Sequence, residues 1–169
     1  MGDACMDALE ALRTRRSVRQ YDTERAVADA DLETLVDCAR LAASARNAQP
    51  WEFVVVRDAA IRAELARVAT NGSFIADAPA CIAVFCRKSD YFLEDGCAAT
   101  QNLLVAARAL GLGSCWVAGH RKPYADTVRK ILGAPDDMLL ISLVAVGYPL
   151  AVPSPVKRPL SDVLHWEKF

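Results

Sequence analysis

The chain has 169 residues, a hydrophobic fraction of 53% and a formal net charge of -1, with a pI near 6.1. This length predicts one domain with a sizeable core, and the near-neutral charge argues against a dedicated nucleic-acid binder, which is usually strongly basic. The apolar excess indicates a large core or a large apolar interface with another subunit.

Hydrophobic periodicity predicts helices interleaved with strands along the whole chain. In chain order we expect a helix over 3–14, a helix over 29–43, a strand over 51–56, a helix over 58–69, a strand over 81–86, a helix over 94–111, a strand over 114–119, a helix over 122–133 and a strand over 137–149. The helix over 94–111 is apolar nearly all round, which predicts a central buried position. The last strand is continuously apolar, which predicts an interior strand, and an extended tail is expected from about 150 to 169. The pattern predicts an α+β or α/β domain.

Targeting and membrane signals are weak. No run of about 20 uninterrupted apolar residues occurs, so we expect no membrane-spanning helix. The first residues lack the apolar core of a secretion signal, and Met6 stands where a myristoylation signal requires Ser or Thr. We therefore expect a cytoplasmic protein with no membrane partner.

The cysteines are dispersed at positions 5, 38, 81, 86, 97 and 115, without a C-x-x-C pair, and the chain has two His. Zinc and iron–sulfur sites need clustered ligands, so no metal site is predicted. The five cysteines after position 5 lie within apolar runs. We interpret them as small buried side chains in a reducing compartment.

Three stretches carry more chemistry than local structure needs. In "RTRRSVRQY" (13–21) four Arg surround a Ser, which suits a phosphate, although a basic helix end is the simpler interpretation. "VKRPL" (156–160) is a second basic element that could converge on the same phosphate. "SARNAQPW" (44–51) offers Asn and Gln groups that read a polar heterocycle, whereas capping explains only one or two of its residues. The Gly-rich "LGLGSCWVAGH" (110–120) is weaker evidence.

No arrangement of Ser, His and Asp typical of nucleophilic catalysis is evident. Glu94 and Asp95 fall at a predicted helix start, where acidic residues are expected in any case. Without a protein nucleophile or a metal site, any chemistry is expected to belong to a cofactor.

Taken together, these stretches resemble motifs of the nitroreductase family of FMN-dependent oxidoreductases. "RRSVRQY" (15–21) resembles the family's R-x-S-x-R/K-x-F/Y motif, and "SARNAQPW" resembles its P-S-x-x-N-x-Q-P-W motif. Residues 95–116 resemble its central helix and G-L-G-S-x-W turn, and "GYP" followed by "VKRPL" resembles its C-terminal signature. The matches fall in the family's order over most of the chain.

The resemblance implies a single FMN-binding domain over residues 1–169, ending in the extended tail. It implies an α+β fold, a three-layer α-β-α sandwich with a central mixed sheet. It further implies a homodimer with FMN at the subunit interface. The implied reaction is ping-pong electron transfer from NADH or NADPH to a nitroaromatic, quinone or similar small-molecule acceptor, with the flavin N5 carrying the hydride and no catalytic side chain.

By the same resemblance, a set of residues would contact the cofactor: Arg15, Arg16, Ser17, Arg19, Ser44, Ala45, Asn47, Gln49, Gly119, Lys157 and Arg158. The residues of segment 15–19 in this set would hold FMN. Arg15 and Ser17 would face its phosphate and ribityl end, and Arg19 would reach toward the N1–C2 edge of the flavin. Loop 44–49 would approach the partner subunit's flavin, and Gly119 would place a backbone N–H near N5. Asn71 is a further candidate contact.

Several positions depart from the family pattern. Ala43 replaces the usual Pro, Ala45 a usual small residue that is often Ser, and Ala118 a Glu of some members. The usual K-x-R spacing is reduced to Lys157-Arg158, so either side chain could bind the phosphate. Three alternatives remain: a flavin-binding redox protein without NAD(P)H activity that is linked to ferredoxin; a specialised flavin enzyme such as a dehalogenase, a flavin-destroying enzyme or a peptide azoline oxidase; and a dimeric domain without a cofactor.

Overall fold

The computed structural model describes residues 6–169. Its helices are α1 (Ala8–Thr14), α2 (Asp29–Arg40), α3 (Ala59–Val68), α4 (Phe92–Ala109) and α5 (Ala125–Ile131). Its strands are β1 (Trp51–Val56), β2 (Ala80–Arg87), β3 (Gly113–Ala118) and β4 (Met138–Gly147). Short 3-10 turns occur at Ala45–Asn47, Ser73–Ile75 and Leu160–Asp162. Each predicted helix and strand is present, with boundaries that differ by a few residues.

The ends of the first two helices differ from the prediction. The predicted residues 3–5 lie outside the described residues, and α1 begins at Ala8 after Asp7, whose carboxylate accepts from the Leu9 N–H at 3.3 Å. Helix α2 ends at Arg40 rather than at 43. The Ala42 N–H donates to the Ala39 carbonyl at 3.1 Å, a tighter turn that leads into loop 44–50.

The sheet has the strand order β1-β2-β4-β3. Both central strands are almost entirely buried, so the predicted interior position of the last strand is confirmed. The mixed sheet is a correction, because each pair of adjacent strands is antiparallel. Among residues 6–169 the parallel component is reduced to one isolated bridge between Ser17 and Ser114. The chain reverses direction between neighbouring strands, and this gives the antiparallel ladders.

Helices cover both faces of the sheet. One face packs against α2 and α4 through a cluster that includes Leu35, Ile82, Leu103 and Val144. The other face packs against α3 and α5 through a cluster that includes Leu65, Phe85, Val128 and Leu143. These layers confirm the predicted three-layer α-β-α arrangement and the α+β class.

Helix α4 lies close against the sheet, as its apolar surface predicts. A methyl group at Gly96 would lie 2.6 Å from Ile141 Cγ1, so only glycine allows this approach. The buried Thr100 hydroxyl donates to the Gly96 carbonyl at 2.7 Å and lies 2.9 Å from the Ser142 hydroxyl. The polar atoms of this contact are therefore satisfied inside the core.

The tail leaves the sheet at the end of β4. Residues 151–159 form no helix or strand, as predicted, and residues 151–169 are exposed throughout. Among its exposed apolar side chains are Val156, Leu160 and Trp166. None of the helices described between residues 6 and 169 has both the length and the apolar character that crossing a bilayer requires.

The cysteine prediction is only partly correct. Cys81, Cys86 and Cys115 are buried, whereas Cys38 and Cys97 are half-buried, and Cys5 lies outside the described residues. Burial raises the pKa of the Cys81 and Cys86 thiols to about 12 each. Within residues 6–169, no three His, Cys, Asp or Glu side chains form a group that could hold a metal ion.

Candidate functional site

The basic segment after α1 runs beside β3. The Val18 N–H donates to the Ser114 carbonyl at 3.0 Å, and a methyl group at Gly113 would lie 2.9 Å from the Val18 side chain. Val18 thus packs inward, and in extended backbone its neighbours Ser17 and Arg19 point to the opposite side. Burial raises the pKa of the nearby Cys115 thiol, while Arg19, Ser17 and Arg15 act in the opposite direction. Ser17 and the two arginines thus lie near the start of β3: Ser17 bridges to Ser114, Arg15 lines a small cavity with Ser114, and Arg19 lines a cavity with Cys115.

Arg16 has a different role from its neighbours. Its Nη1 donates to the Arg13 carbonyl at 2.9 Å and to the Arg15 carbonyl at 2.8 Å. These are carbonyls at the C-terminal end of α1, where a cation also complements the helix dipole. The structure therefore supports the helix-end interpretation for Arg16, and its predicted cofactor contact remains a prediction.

A cavity of about 190 Å³ lies against β3, and it is lined by Arg19, Asn71, Phe74, Cys115, Trp116, Val117, Ala118, Lys122 and Tyr124. It brings Asn71 and Arg19 together although they are distant in sequence. The Arg19 guanidinium lies 5.7 Å from the centroid of the Phe74 ring, a cation–π contact. The volume is below the ~300–1,000 Å³ of typical ligand sites, so this cavity alone is too small to enclose a large cofactor.

The sequence did not single out three residues of this cavity. Phe74 comes from a 3-10 turn, and the Tyr124 hydroxyl donates to the Ala118 carbonyl at the end of β3. Lys122 follows Gly119 in the turn after β3. The sequence signal that could have identified Lys122 is its position just after the Gly-rich stretch 110–120.

Loop 44–50 uses part of its polarity on itself. The Ser44 hydroxyl accepts from the Gln49 N–H at 3.0 Å, and the Gln49 amide donates to the Asn47 carbonyl at 3.3 Å. Arg46, Asn47 and Gln49 all have left-handed backbone, with φ of 53°, 55° and 48°. Each such residue costs roughly 1–2 kcal/mol relative to ordinary backbone. No hydrogen bond within residues 6–169 uses the Arg46 or Asn47 side chain, so these exposed groups stay available to a ligand.

Asp95 holds this loop in place. It is 5% exposed, and its Oδ1 accepts from the Ala45 N–H at 2.9 Å, across 50 positions of sequence. Its second oxygen, Oδ2, is buried and has no hydrogen-bond partner among the described residues. Asp95 lies in the first turn of α4, as expected of an acid at a helix start, and the contact with the loop is a second role that the sequence pattern did not predict.

The Gly119 N–H, which is predicted to lie near the flavin N5, already has a hydrogen-bond partner within the fold. Its N–H donates to the Ile141 carbonyl at 2.9 Å, beside the irregularity of β4 at which Val84 pairs with Ser142 and Phe85 with Leu140. A methyl group at Gly119 would lie 2.5 Å from Leu140 Cγ. Packing therefore explains this glycine, and a contact of its N–H with a flavin N5 stays a prediction that needs a shared hydrogen bond.

The basic tail residues do not reach segment 15–19 in the single chain. Lys157 and Arg158 are exposed, and Arg158 Nη2 donates to the Asp162 carbonyl at 2.5 Å. Only the start of the tail passes near, since Pro149 and Val152 line a small cavity together with Arg15 and Arg16. Arg108 of α4 also lines that cavity and donates from Nε to the Thr14 hydroxyl at 2.9 Å.

A larger groove lies elsewhere, between α2 and the edge strand β1. It measures about 460 Å³, and its wall includes Leu32, Val36, Phe53 and Val55. It contains none of the predicted cofactor residues. We therefore place the candidate site at β3, where the cationic and polar side chains converge.

Known proteins resemble this chain in sequence and in fold. The sequence profile of the nitroreductase family matches residues 12–89 and 70–148. A protein of Archaeoglobus fulgidus, provisionally named NADH dehydrogenase/NAD(P)H nitroreductase, is 37% identical over 150 residues, which cover 85% of this chain and 86% of that protein. The crystal structure of a Bacteroides thetaiotaomicron protein with the same provisional name matches with a TM-score of 0.91 and 29% identity, over 100% of both chains.

A second crystal structure contains a cofactor. It is that of a Desulfovibrio desulfuricans protein, provisionally named a nitroreductase and crystallised in complex with FMN. It matches with a TM-score of 0.85 and 31% identity, over 97% of this chain and 98% of that one. The predicted nitroreductase-like fold is thus confirmed. The chain belongs to the nitroreductase family.

Proposed function

We propose that this protein is an FMN-dependent oxidoreductase that takes electrons from NAD(P)H and passes them to electron-poor acceptors such as nitroaromatics or quinones. The observation that carries the proposal is that Arg15, Ser17 and Arg19 all lie at the start of β3. Ser17 forms a bridge with Ser114, Arg15 lines a small cavity with Ser114, and Arg19 lines the neighbouring cavity that contains Asn71. The names of the Archaeoglobus and Desulfovibrio relatives agree with it.

The residues present fit FMN. A phosphate dianion needs several charge-assisted donors, and Arg15 and Ser17 provide a guanidinium and a hydroxyl. The edge of a polar heterocycle needs amide and cationic groups, and Asn71 and Arg19 provide them in one cavity. No salt bridge within residues 6–169 engages Arg15 or Arg19, so their charges are not already neutralised.

The protein's part in the reaction is binding and electrostatics. Bound FMN would supply the redox chemistry, accepting a hydride from the nicotinamide and then reducing the second substrate, a ping-pong sequence. Arg15, Ser17 and one of Lys157 and Arg158 would hold the phosphate end. Arg19 would keep a fixed positive charge at the end of the ring system where negative charge develops on reduction.

The site is completed by a second copy of the chain in this proposal. The cavity of one chain is small, about 190 Å³, and the Arg46 and Asn47 side chains are exposed, with no hydrogen bond to another side chain within residues 6–169. Loop 44–49 would then contribute Ser44, Ala45, Asn47 and Gln49 to the cofactor of the partner subunit. A homodimer would also bury the apolar tail.

The test is the visible spectrum of the purified protein, followed by anaerobic addition of NADH and then of NADPH. We expect flavin absorption that bleaches with at least one of these donors and returns when a quinone is added. Flavin that bleaches only with dithionite would overturn the NAD(P)H activity and favour the redox-partner alternative. Absence of flavin after incubation with FMN would overturn the cofactor itself.

A further inference from the structure

A second groove, of about 420 Å³, opens beside the candidate cofactor cavity. It is lined by His120, Arg121, Lys122, Pro123, Ala125, Asp126, Arg129, Asp136, Met138, Leu139 and Leu140. Lys122 lines both spaces, so the groove begins where the cofactor cavity ends. Its volume lies in the ~300–1,000 Å³ range of small-molecule sites.

The acids of this groove are already neutralised. Asp126 lies 2.7 Å from Arg129 Nη2 and 2.9 Å from Lys130 Nζ, and Asp136 lies 2.5 Å from Arg129 Nη1. Consistent with these contacts, the hydrogen bonds from Lys130 and Arg129 lower the pKa of the Asp126 carboxyl. Arg129 is therefore the internal counter-ion of the groove and is not a free cation.

Arg121 and Lys122 have no such partners. Both are exposed, and no acid within residues 6–169 forms a salt bridge with either. The turn that carries them is held by the Lys122 N–H, which donates to the Gly119 carbonyl at 3.1 Å. Arg121 has left-handed backbone, with φ of 58°. Unlike Asn or Asp, an arginine does not stabilise this conformation through a local side-chain hydrogen bond. The groove thus carries two positive charges that no acid within residues 6–169 compensates, and one of them, Lys122, also lines the cofactor cavity.

The part of the groove that β4 provides is different in character. Met138 and Leu140 of β4 are buried and Leu139 is half-buried, and all three line the groove. An anionic group would therefore bind beside Arg121 and Lys122, and an apolar group against the β4 side chains. This is the charge pattern of a dinucleotide whose nicotinamide lies over the cofactor, with phosphates in the middle and adenosine at the other end.

We propose that Arg121 and Lys122 bind the phosphate groups of the pyridine dinucleotide, and that the groove beyond them receives its adenosine half. The proposal rests on the NAD(P)H activity proposed above and adds the residues that recognise the donor. It requires no contact with the flavin by Arg121, which does not line the cofactor cavity.

The variant that tests it is Arg121→Asn, since Asn tolerates left-handed backbone while the guanidinium and its charge are removed. The rate of flavin bleaching is measured anaerobically against the concentration of NADPH, NADH and N-benzyl-1,4-dihydronicotinamide, which has the nicotinamide ring but no phosphate. We expect the half-saturating concentration of both dinucleotides to rise roughly tenfold, because a charge-assisted contact is lost, with little change in limiting rate. The phosphate-free donor should react as with the parent protein.

Matched variants separate charge from structure. Arg121→Lys should recover most of the dinucleotide affinity, Lys122→Gln should weaken it as Arg121→Asn does, and Lys88→Gln, an exposed lysine outside both cavities, should change nothing. Raising the salt concentration from 50 to 200 mM should weaken NADPH binding in the parent and have less effect in Arg121→Asn. An equal loss with all three donors, or no loss with the dinucleotides, overturns the proposal.

A binding measurement keeps this test separate from that of the proposed function. Calorimetric titration of the oxidised holoprotein with NADP⁺ should give a Kd that rises in Arg121→Asn. If dithionite but not NAD(P)H bleaches the parent, the proposed activity fails, and loss of NADP⁺ binding in Arg121→Asn would still support the site. No binding of NADP⁺ to the parent overturns the phosphate site as well.

Discussion

Three arginines of one short motif have different surroundings in the fold. Arg16 donates to two carbonyls at the end of α1, whereas no hydrogen bond within residues 6–169 uses the side chains of Arg15 and Arg19. A guanidinium that is already satisfied by backbone has little left to offer a phosphate. The motif therefore contains one structural and two candidate binding arginines.

Alanine at these neighbouring positions should produce opposite results. Arg15→Ala should lower FMN affinity by roughly 10- to 100-fold, the effect of losing one hydrogen bond to a charged group. Arg16→Ala should change FMN affinity by less than about threefold but lower the free energy of unfolding by about 1 kcal/mol, because the helix end loses its cap. Fluorescence titration of the apoprotein with FMN and urea denaturation measure the two quantities. Equal FMN affinities in the two variants would contradict the assignment.

Asp95 has a structural role that its position at a helix start does not reveal. Asp95→Ala removes the acceptor of the Ala45 N–H and leaves that donor unsatisfied, so we expect the free energy of unfolding to fall by about 2 kcal/mol. Asp95→Asn keeps an acceptor oxygen and should lose less. Glu94→Ala, an exposed acid in the same helical turn, is the control and should change stability by less than about 0.5 kcal/mol. Denaturant unfolding measures these differences. Similar losses of unfolding free energy for Asp95→Ala and Glu94→Ala would show that the Asp95 contact contributes little to stability.

Among the elements of the fold, the buried strand β2 changes the acidity of the two cysteines that it carries. It lies between β1 and β4 and carries Cys81 near one end and Cys86 near the other, both fully buried. Because burial disfavours the thiolate, each folded-state pKa rises to about 12, above the ~8.5 of an unfolded thiol. Above that unfolded value the unfolded chain binds fewer protons than the folded chain, so stability falls as pH rises.

We therefore expect the free energy of unfolding to decrease between about pH 9 and 12, with each thiol contributing up to about 1.4 kcal/mol per pH unit. Below about pH 8 these two groups should add no pH dependence. Urea unfolding under reducing conditions at pH 8, 9 and 10 measures the slope. The Cys81→Ala/Cys86→Ala variant should show a shallower decline than the parent, and an unchanged slope would mean that other groups dominate.

For the whole molecule, the exposed tail is the feature that a single chain leaves unexplained. Its exposed apolar residues include Val156 at 98%, Leu160 at 70% and Trp166 at 77% of their full accessible surface. Several large apolar side chains exposed along one segment are a reason to expect an interface there. A tail that is buried in the interface of the proposed homodimer would also account for the high hydrophobic fraction of the sequence.

Charge introduced into the tail should weaken the proposed dimer. We expect Leu160→Asp/Trp166→Asp to raise the dimer dissociation constant by at least 100-fold, since two apolar side chains that the proposed dimer would bury are replaced by acids. Sedimentation velocity across a concentration series measures it. Asp162→Ser, a polar change in the same segment, serves as the control. A parent protein that sediments as a monomer at all concentrations would contradict the homodimer, and an unaffected dimer would exclude the tail from the interface.

The sequence determined most of the fold because the determinants are local or periodic. The all-apolar run of β4 requires an interior strand, and the continuous apolar surface of α4 requires burial. The ordered motifs around Arg15, Ser44 and Gly113 identified the family before any tertiary contact was known. Sequence could not show the antiparallel direction of every strand pair, because pairing depends on how connections cross the sheet.

The candidate site was predictable by residue type and only partly by arrangement. The motifs pointed to Arg15, Ser17 and Arg19, and Asn71 was a further candidate outside them. The fold brings Ser17 and both arginines to the start of β3 and Asn71 to the cavity beside Arg19. The sequence favoured a basic helix end, but it did not show that Arg16 is the residue that caps it, that the Gly119 N–H is bound to Ile141, or that Asp95 holds a loop 50 positions away. Side chains carry their hydrogen-bonding capacity in the sequence. Which partner satisfies that capacity depends on distances across the folded chain, and only the tertiary structure decides it.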